Sequence, residues 1–276
     1  MPILRLPEPY DFELSTERFR VFGRDRANVW HEGGVHRVVD GRELRIEPAR
    51  GGVRVEPLEP RQEPAVRKLL GLDFDLDAFG RFAQSDPVLA RIVGELSGMR
   101  PPLAPDPFEA LVSSITAQQV SLHAAFAVRS RLIERFGVRH EVAWEFPARE
   151  RIAAAREDEL FALGFSRRKA EYVVGLARSD LDLQALATVP DDEVKRLLVG
   201  QRGLGEWSAD WFLARYLARP RAWPAGDLGL RKAATAFCGN GRALTTAEVR
   251  ALGRRFEPFQ NLSAHYLLTG LRMVGA

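Results

Sequence analysis

Along these 276 residues the hydrophobic periodicity changes once, near Pro64, and that change constrains the fold more than any other feature. Before it, within residues 27–57, Leu44 and Ile46 alternate with charged residues, as do Val53 and Val55. Three hairpin signals punctuate the stretch: Gly33-Gly34, Asp40-Gly41 and Gly51-Gly52, of which Asp-Gly is the strongest. The pattern predicts an antiparallel meander with one buried and one wet face, and no catalytic grouping is visible in it. After Pro64 the apolar spacing is helical. A break at Arg100-Pro101-Pro102-Leu103-Ala104-Pro105-Asp106-Pro107 ends in an N-cap aspartate followed by a first-turn proline. Phe108, Leu111, Val112 and Ile115 then share a helix face, as do Ala170, Val173, Val174 and Ala177, and Ala209, Phe212, Leu213 and Tyr216. Further helices are expected near 122–136, 150–163, 191–199, 229–238, 245–254 and 260–273. The fold class is α+β: an N-terminal antiparallel β domain, then a mostly α-helical part.

Composition removes several function classes. Hydrophobic residues make up 46% and charged residues 28%, enough for a core and too ordered for bulk disorder. No run of about 18 apolar residues suits a membrane, and the first 15 residues lack an apolar signal core, so a cytoplasmic protein that avoids membranes is expected. One cysteine, Cys238, excludes an internal disulfide framework and a four-cysteine iron–sulfur cluster. Histidines 31, 36, 123, 140 and 265 have no metal-ligand spacing, and neither a P-loop nor a dinucleotide fingerprint occurs. The net charge is +3, with the excess of base in residues 101–276. An anionic partner would bind there.

The informative segment is 191–217, DDEVKRLLVGQRGLGEWSADWFLARYL. A short helix bearing Val194, Leu197 and Leu198 meets a Gly203-Leu204-Gly205 turn, and a second helix follows. Its first N–H groups have no internal partner and suit a phosphate. GLGEWSA resembles the G-φ-G-x-x-[ST]-A hairpin of the helix-hairpin-helix (HhH-GPD) DNA glycosylases. Three more segments match that family in order: Ile115-Thr116-Ala117-Gln118-Gln119-Val120-Ser121; Gly164-Phe165-Ser166-Arg167-Arg168-Lys169-Ala170; and the Gly/Pro loop Trp223-Pro224-Ala225-Gly226-Asp227. The matches span 107–232. With the N-terminal meander they resemble the three-domain branch, which includes the 3-methyladenine DNA glycosylase II (AlkA) type and the 8-oxoguanine type.

The resemblance implies a two-lobed helical glycosylase core with three units: residues 1–65, the β domain; residues 66–106 plus 233–276, a helical lobe beside the core; and residues 107–232, the helix-hairpin-helix core. It also implies damaged double-stranded DNA as partner, a monomer, and no cofactor beyond a monovalent cation that hairpin carbonyls could hold. Cleaving an N-glycosidic bond builds positive charge on the sugar, which a carboxylate stabilises. Asp227 is that carboxylate; by position alone it could be only the cap of a helix starting near Leu228. Trp207 and Trp211, at i and i+4, are candidates for a base pocket, since an indole face stacks on a flat base and attracts a cationic one. The alternative is ordinary packing. Gln119 is the candidate wedge for the gap left by the flipped base, with Gln118 bracing its turn. The backbone at Gly203, Gly205, Trp207 and Ser208 is the candidate phosphate anchor.

One position separates the branches. Strand-cutting relatives carry a nucleophilic lysine at the second x of the hairpin motif; here that residue is Trp207, which cannot attack a sugar carbon. The expected function is therefore a monofunctional glycosylase that hydrolyses the glycosidic bond of an alkylated purine in base excision repair. The rivals are an 8-oxoguanine-type glycosylase/lyase, against which Trp207 argues, and a non-catalytic DNA clamp, which would need no Asp227. The C-terminal part holds Phe256, Phe259 and Tyr266 but no tryptophan beyond Trp223, a departure from the alkylation-repair pattern.

Overall fold

A computed structural model describes residues 3–275. Strands β1 (Ile3–Arg5), β2 (Asn28–His31), β3 (Gly34–Val39), β4 (Arg42–Ala49) and β5 (Gly52–Glu56) form one antiparallel sheet in the order β1-β5-β4-β3-β2. The meander follows from its turns. Glu32-Gly33 and Asp40-Gly41 take paired positive φ values, the geometry of two-residue hairpins that match strand twist. Register places Val35 opposite Ile46 and Ile46 opposite Val55, so these side chains share a face. A small β6–β7 ribbon (Val138–Arg139, Trp144–Glu145) lies later in the chain.

Two short helices, α1 (Phe12–Thr16) and α2 (Arg18–Val21), precede β2. After the sheet come α3 (Glu63–Leu69), α4 (Leu76–Ala83), α5 (Pro87–Glu95), α6 (Pro107–Ala117), α7 (Leu122–Phe136), α8 (Arg149–Ala153), α9 (Glu157–Ala162) and α10 (Arg167–Arg178). The chain ends with α11 (Asp191–Val199), α12 (Glu206–Arg215), α13 (Leu228–Cys238), α14 (Thr246–Leu252) and α15 (Gln260–Met273). Asp106 caps α6 as its sequence suggests, its carboxylate accepting from the Glu109 N–H at 2.8 Å. Phe108, Leu111, Val112 and Ile115 are all buried. The single helix expected over 150–163 is two. The chain turns at 154–156, where the Glu159 carboxylate accepts from the Arg156 N–H at 3.0 Å and starts α9 afresh.

Buried side chains form three clusters. One joins the inner face of the sheet to Val66, Leu69 and Leu70 at α3. A second joins α4 and α5 to α13 and α15. The third holds α6 to α12 together. Tyr266 is fully buried in the second cluster and donates its hydroxyl to the Met99 carbonyl at 2.7 Å.

The outer face of the sheet is wet along β4 and β5, where Arg45, Glu47 and Arg54 pair with one another. Along β3 it is not. His36 and Val38 are buried, and Glu43 beside them accepts from the Val142 N–H at 3.0 Å, because the ribbon segment covers that edge. On the inner face Arg37 is buried too. Its guanidinium makes a two-pronged contact with Glu109 of α6, and Glu109 also receives Arg129 of α7. Asp25 closes the network against Arg129 and Asn28. Burial alone would push up the Glu109 carboxyl, but Arg37 and Arg129 outweigh it and hold the group below its ordinary value.

Glu109→Gln should cost about 3–5 kcal/mol, because it strands buried guanidiniums. Denaturant midpoints measure this; a loss under about 1 kcal/mol would show the network to be dispensable. The pH dependence has a definite sign. In the unfolded chain Glu109 titrates near 4.5, and in the fold it titrates lower. Its stabilisation is complete above about pH 4.5 and fades as pH falls through the folded value. The melting temperature of the native chain should therefore drop more steeply on acidification than that of the Gln variant.

Candidate active site

Asp227 is placed by a tight loop. Trp223 donates its indole N–H to the Val249 carbonyl at 2.8 Å, the Ala225 N–H bonds the Trp223 carbonyl, and the Asp227 N–H bonds the Pro224 carbonyl. The aspartate then caps α13, with Oδ1 accepting from the Leu230 N–H at 2.8 Å. The cap role and a site role coexist, since Oδ2 points to the hairpin helix. There it accepts from the indole N–H of Trp207 at 2.8 Å and of Trp211 at 3.1 Å. Each carboxylate oxygen has two lone pairs, so Oδ2 is saturated and Oδ1 keeps one position free. The group is half-buried and held by three donors from two helices.

The two tryptophans thus meet the carboxylate with their edges. Trp207 is half-buried. Trp211 is only 5% exposed and packs into the helical core. One face of Trp211 is already covered, by the Arg215 guanidinium at 3.7 Å from the ring centroid. His265 packs edge-on against the same ring, with centroids 5.9 Å apart. A small cavity of about 40 Å³ opens beside Arg215 and His265. Sequence reasoning missed Arg215, because an arginine in the last turn of a helix reads as solvated.

The hairpin joins α11 to α12. Gly203 has φ +90°, and a Cβ there would sit 2.1 Å from the Tyr172 ring of α10. Glycine at 203 is thus required by packing inside the protein. Gly205 is different: it is the N-cap of α12, its Cβ position is open, and no side chain caps the helix. The first-turn amides beside exposed Gly205 and Glu206 therefore lack a protein acceptor from any cap, which suits an anion. Ser208 is buried with its hydroxyl 3.4 Å from the Gln118 amide, so only its backbone can serve as an anchor.

Gln118 donates to the Gly203 carbonyl at 2.8 Å and ties the α6–α7 turn to the hairpin. Lys169 supports the same turn by donating to the Thr116 carbonyl at 2.9 Å; burial lowers the pKa of its ammonium. Gln119 sits in the left-handed region at φ +54° and is exposed, next to Val120 at 46% exposure. A non-glycine residue at positive φ is strained and marks a constrained position. Of the rival acids, Asp210 pairs with Lys195 at 2.7 Å and Glu206 is exposed. Among the described residues no group of His, Cys, Asp and Glu could hold a metal ion, and no helix is long and apolar enough to cross a membrane. Phe256 and Tyr266 are wholly buried in the second core cluster, away from this surface.

The two glycines should therefore respond differently to alanine. Gly203→Ala must displace Tyr172 and hold a Cβ at positive φ, so its melting temperature should fall by several degrees. Gly205→Ala should melt within about a degree or two of the native chain. Equal melting temperatures would contradict the packing at Tyr172.

Comparisons with known proteins agree with this geometry. The model of the HhH-GPD superfamily base excision DNA repair proteins matches residues 112–258. The chain is 30% identical over 210 residues to a DNA-3-methyladenine glycosylase of Bacillus subtilis, covering 73% of this chain and 69% of that protein. It is 29% identical over 212 residues to DNA-3-methyladenine glycosylase 2 of Escherichia coli, covering 74% and 71%. Its structure matches that of the 3-methyladenine DNA-glycosylase from Archaeoglobus fulgidus with a TM-score of 0.91, at 29% identity and over 100% of both chains. With more than half its length inside that family model, over the hairpin, the α6–α7 turn and the capped aspartate alike, this chain belongs to the HhH-GPD superfamily of base excision DNA repair proteins.

Proposed function

We propose that this chain is a monofunctional DNA glycosylase that releases a damaged purine, alkylated bases included, and leaves an abasic site. The observation that carries this reading is Asp227, the cap of α13, fixed by three N–H donors, two of them indoles from the first two turns of α12, whose N-terminus faces the solvent as an anion site. The amides of Glu206, Trp207 and Ser208, beyond Gly205, take a DNA phosphate. Gln119 enters the duplex where the flipped nucleotide leaves, with exposed Val120 beside it. Residues 107–232 carry all three parts. The chain acts as a monomer on double-stranded DNA with damaged bases. Hairpin carbonyls could also hold a monovalent cation; the Gly203 carbonyl, already an acceptor for Gln118, keeps one lone pair for it.

As the glycosidic bond lengthens, the sugar gains positive charge, and the Asp227 carboxylate stabilises it at short range. Oδ1, with its free lone pair, can align the attacking water. Oδ2 cannot, because both indoles already use it. Trp207 stands where strand-cutting relatives keep a lysine, so no amine is poised to form a Schiff base there.

Two substitutions test this reading. Asp227→Asn should lower base release by at least about 10²–10³-fold and leave duplex affinity within a few-fold. An amide oxygen can serve the Leu230 cap or the indoles but not both, so a stability loss of about 1 kcal/mol should accompany it. Near-native turnover by a folded Asn variant would remove Asp227 from the chemistry. Trp207→Lys should not create an efficient lyase. A working nucleophile needs a lowered pKa and near-attack geometry, both set by surrounding groups, and the surroundings here are built around an indole. Borohydride trapping on an abasic duplex measures the outcome; strong trapping with rapid strand cleavage would refute this.

A further inference from the structure

The cavity next to Trp211 has an unusual lining. Arg18 of α2, Arg215 of α12 and Arg272 of α15 all reach it, together with Glu17 and His265. Arg272 pairs with Glu17 at 2.9 Å. Arg18 and Arg215 have no ion-pair partner among the described residues, and Arg215 Nε is buried without any hydrogen-bond acceptor. His265, 8% exposed, likewise leaves its Nε2 unpartnered. Buried polar groups without partners are rare and costly. Here two of them, Arg215 Nε and His265 Nε2, border one small space.

One wall residue of that space lies near the carboxylate. A Cβ placed on Gly229 would lie 3.0 Å from Asp227 Oδ1 and 3.2 Å from Leu268 Cδ2, and Leu268 is part of the cavity wall. Trp211 links the two regions from the other side: its N–H binds Asp227, while its ring carries Arg215 and meets His265. At about 40 Å³ the free space holds water and is too small for a purine. A base can enter only as Arg215 leaves the indole face.

Building on the glycosylase reading above, we propose that this cavity receives the flipped base, and that Arg18, Arg215 and Arg272 make it select uncharged purines with hydrogen-bond acceptors over cationic N-alkylated ones. The attraction an indole offers a cation is already used by the protein's own guanidinium. A cationic base would have to displace Arg215 and then sit among two further guanidiniums, with Glu17 the sole anion in the lining. An uncharged base with lactam oxygens or ring nitrogens supplies the acceptors that Arg215 and His265 lack. His265 fits this role as a neutral ring: burial and the guanidiniums of Arg215, Arg18 and Arg272 lower its pKa well below the ordinary value, so it adds no further charge.

The test compares single-turnover release from four duplexes, each rate divided by its uncatalysed rate. Two carry cationic lesions, 7-methylguanine and 3-methyladenine. Two carry neutral ones, hypoxanthine and 1,N6-ethenoadenine. The native chain should accelerate the neutral pair at least tenfold more than the cationic pair. Arg18→Gln and Arg215→Met, which remove charge and keep the stem, should each shrink that ratio at least threefold, chiefly through the enzyme concentration that gives half-maximal rate. Melting temperatures and affinity for an undamaged duplex confirm that each variant is folded. A native preference for cationic lesions overturns the proposal, as does a ratio unchanged in both variants. Release of none of the four bases would overturn the glycosylase reading itself, whereas release in reversed order overturns the charge selection alone.

Discussion

Glu109 lies between Arg37 of the sheet and Arg129 of the helical core, in a region closed to water, and Asp25 completes the set from the segment after α2. A buried ionic cluster adds little net stability over a hydrophobic one of the same shape, because desolvation consumes most of its attraction. What it supplies is uniqueness. Apolar faces can slide by a residue at small cost, while a two-pronged arginine–carboxylate contact fits one register only. The network thereby fixes α1 and α2 relative to α6 and α7. Arg18 opens α2 and Glu17 joins α1 to it, so the lining of the cavity beside Trp211 depends on a contact made by other side chains at the sheet. The N-terminal part thus contributes Leu14, Ser15, Glu17 and Arg18 to the wall of that cavity.

Helix α12 couples the remaining parts. Its N-terminus offers unpaired amides, and its first two turns send the indoles of Trp207 and Trp211 to Asp227. Its last turn carries Arg215. The turn bearing Gln119 is tied to the same hairpin by the Gln118–Gly203 hydrogen bond. Any displacement of α12 would therefore move its free amides, the turn bearing Gln119, the carboxylate and the cavity together. Relative placement within about 1 Å decides whether bound groups react, and one rigid helix with few free joints provides it.

Much of this was legible because it is local. Asp40-Gly41 specifies a hairpin by its own backbone preferences, Asp106-Pro107 a helix start, and the spacing of Phe108, Leu111, Val112 and Ile115 a buried face. Asp227 was legible twice, as a cap and as a motif-matched carboxylate. What was not legible depends on distant partners. Arg37 is a charged residue next to a histidine in a short strand and reads as wet, yet its partner lies 72 positions away. Gly203 and Gly205 look equivalent in the sequence, and only the Tyr172 ring separates them. The tryptophans were identifiable as site residues, but spacing says which helix face they share and nothing of how each ring turns. His36 and Val38 follow the outward phase of β3, and no local signal announces the ribbon that covers them.

The residue at position 207 shows how one scaffold can support different chemistry. An amine and an indole both present N–H to a carboxylate, and either can hold Asp227 in place. The amine can also lose a proton and bond to carbon; the indole nitrogen, its lone pair delocalised in the ring, cannot. With tryptophan there the hydrogen bond to Oδ2 remains and the nucleophile is gone, which leaves the free lone pair of Oδ1 as the only protein acceptor on Asp227 itself for a water. The second indole, Trp211, extends the same logic inward. Its N–H also holds Asp227, and its face holds Arg215. The orientation of the carboxylate and the position of Arg215 in the cavity wall are thus set by one aromatic pair on one helix, so a substitution at Trp211 that frees Arg215 will also disturb Asp227.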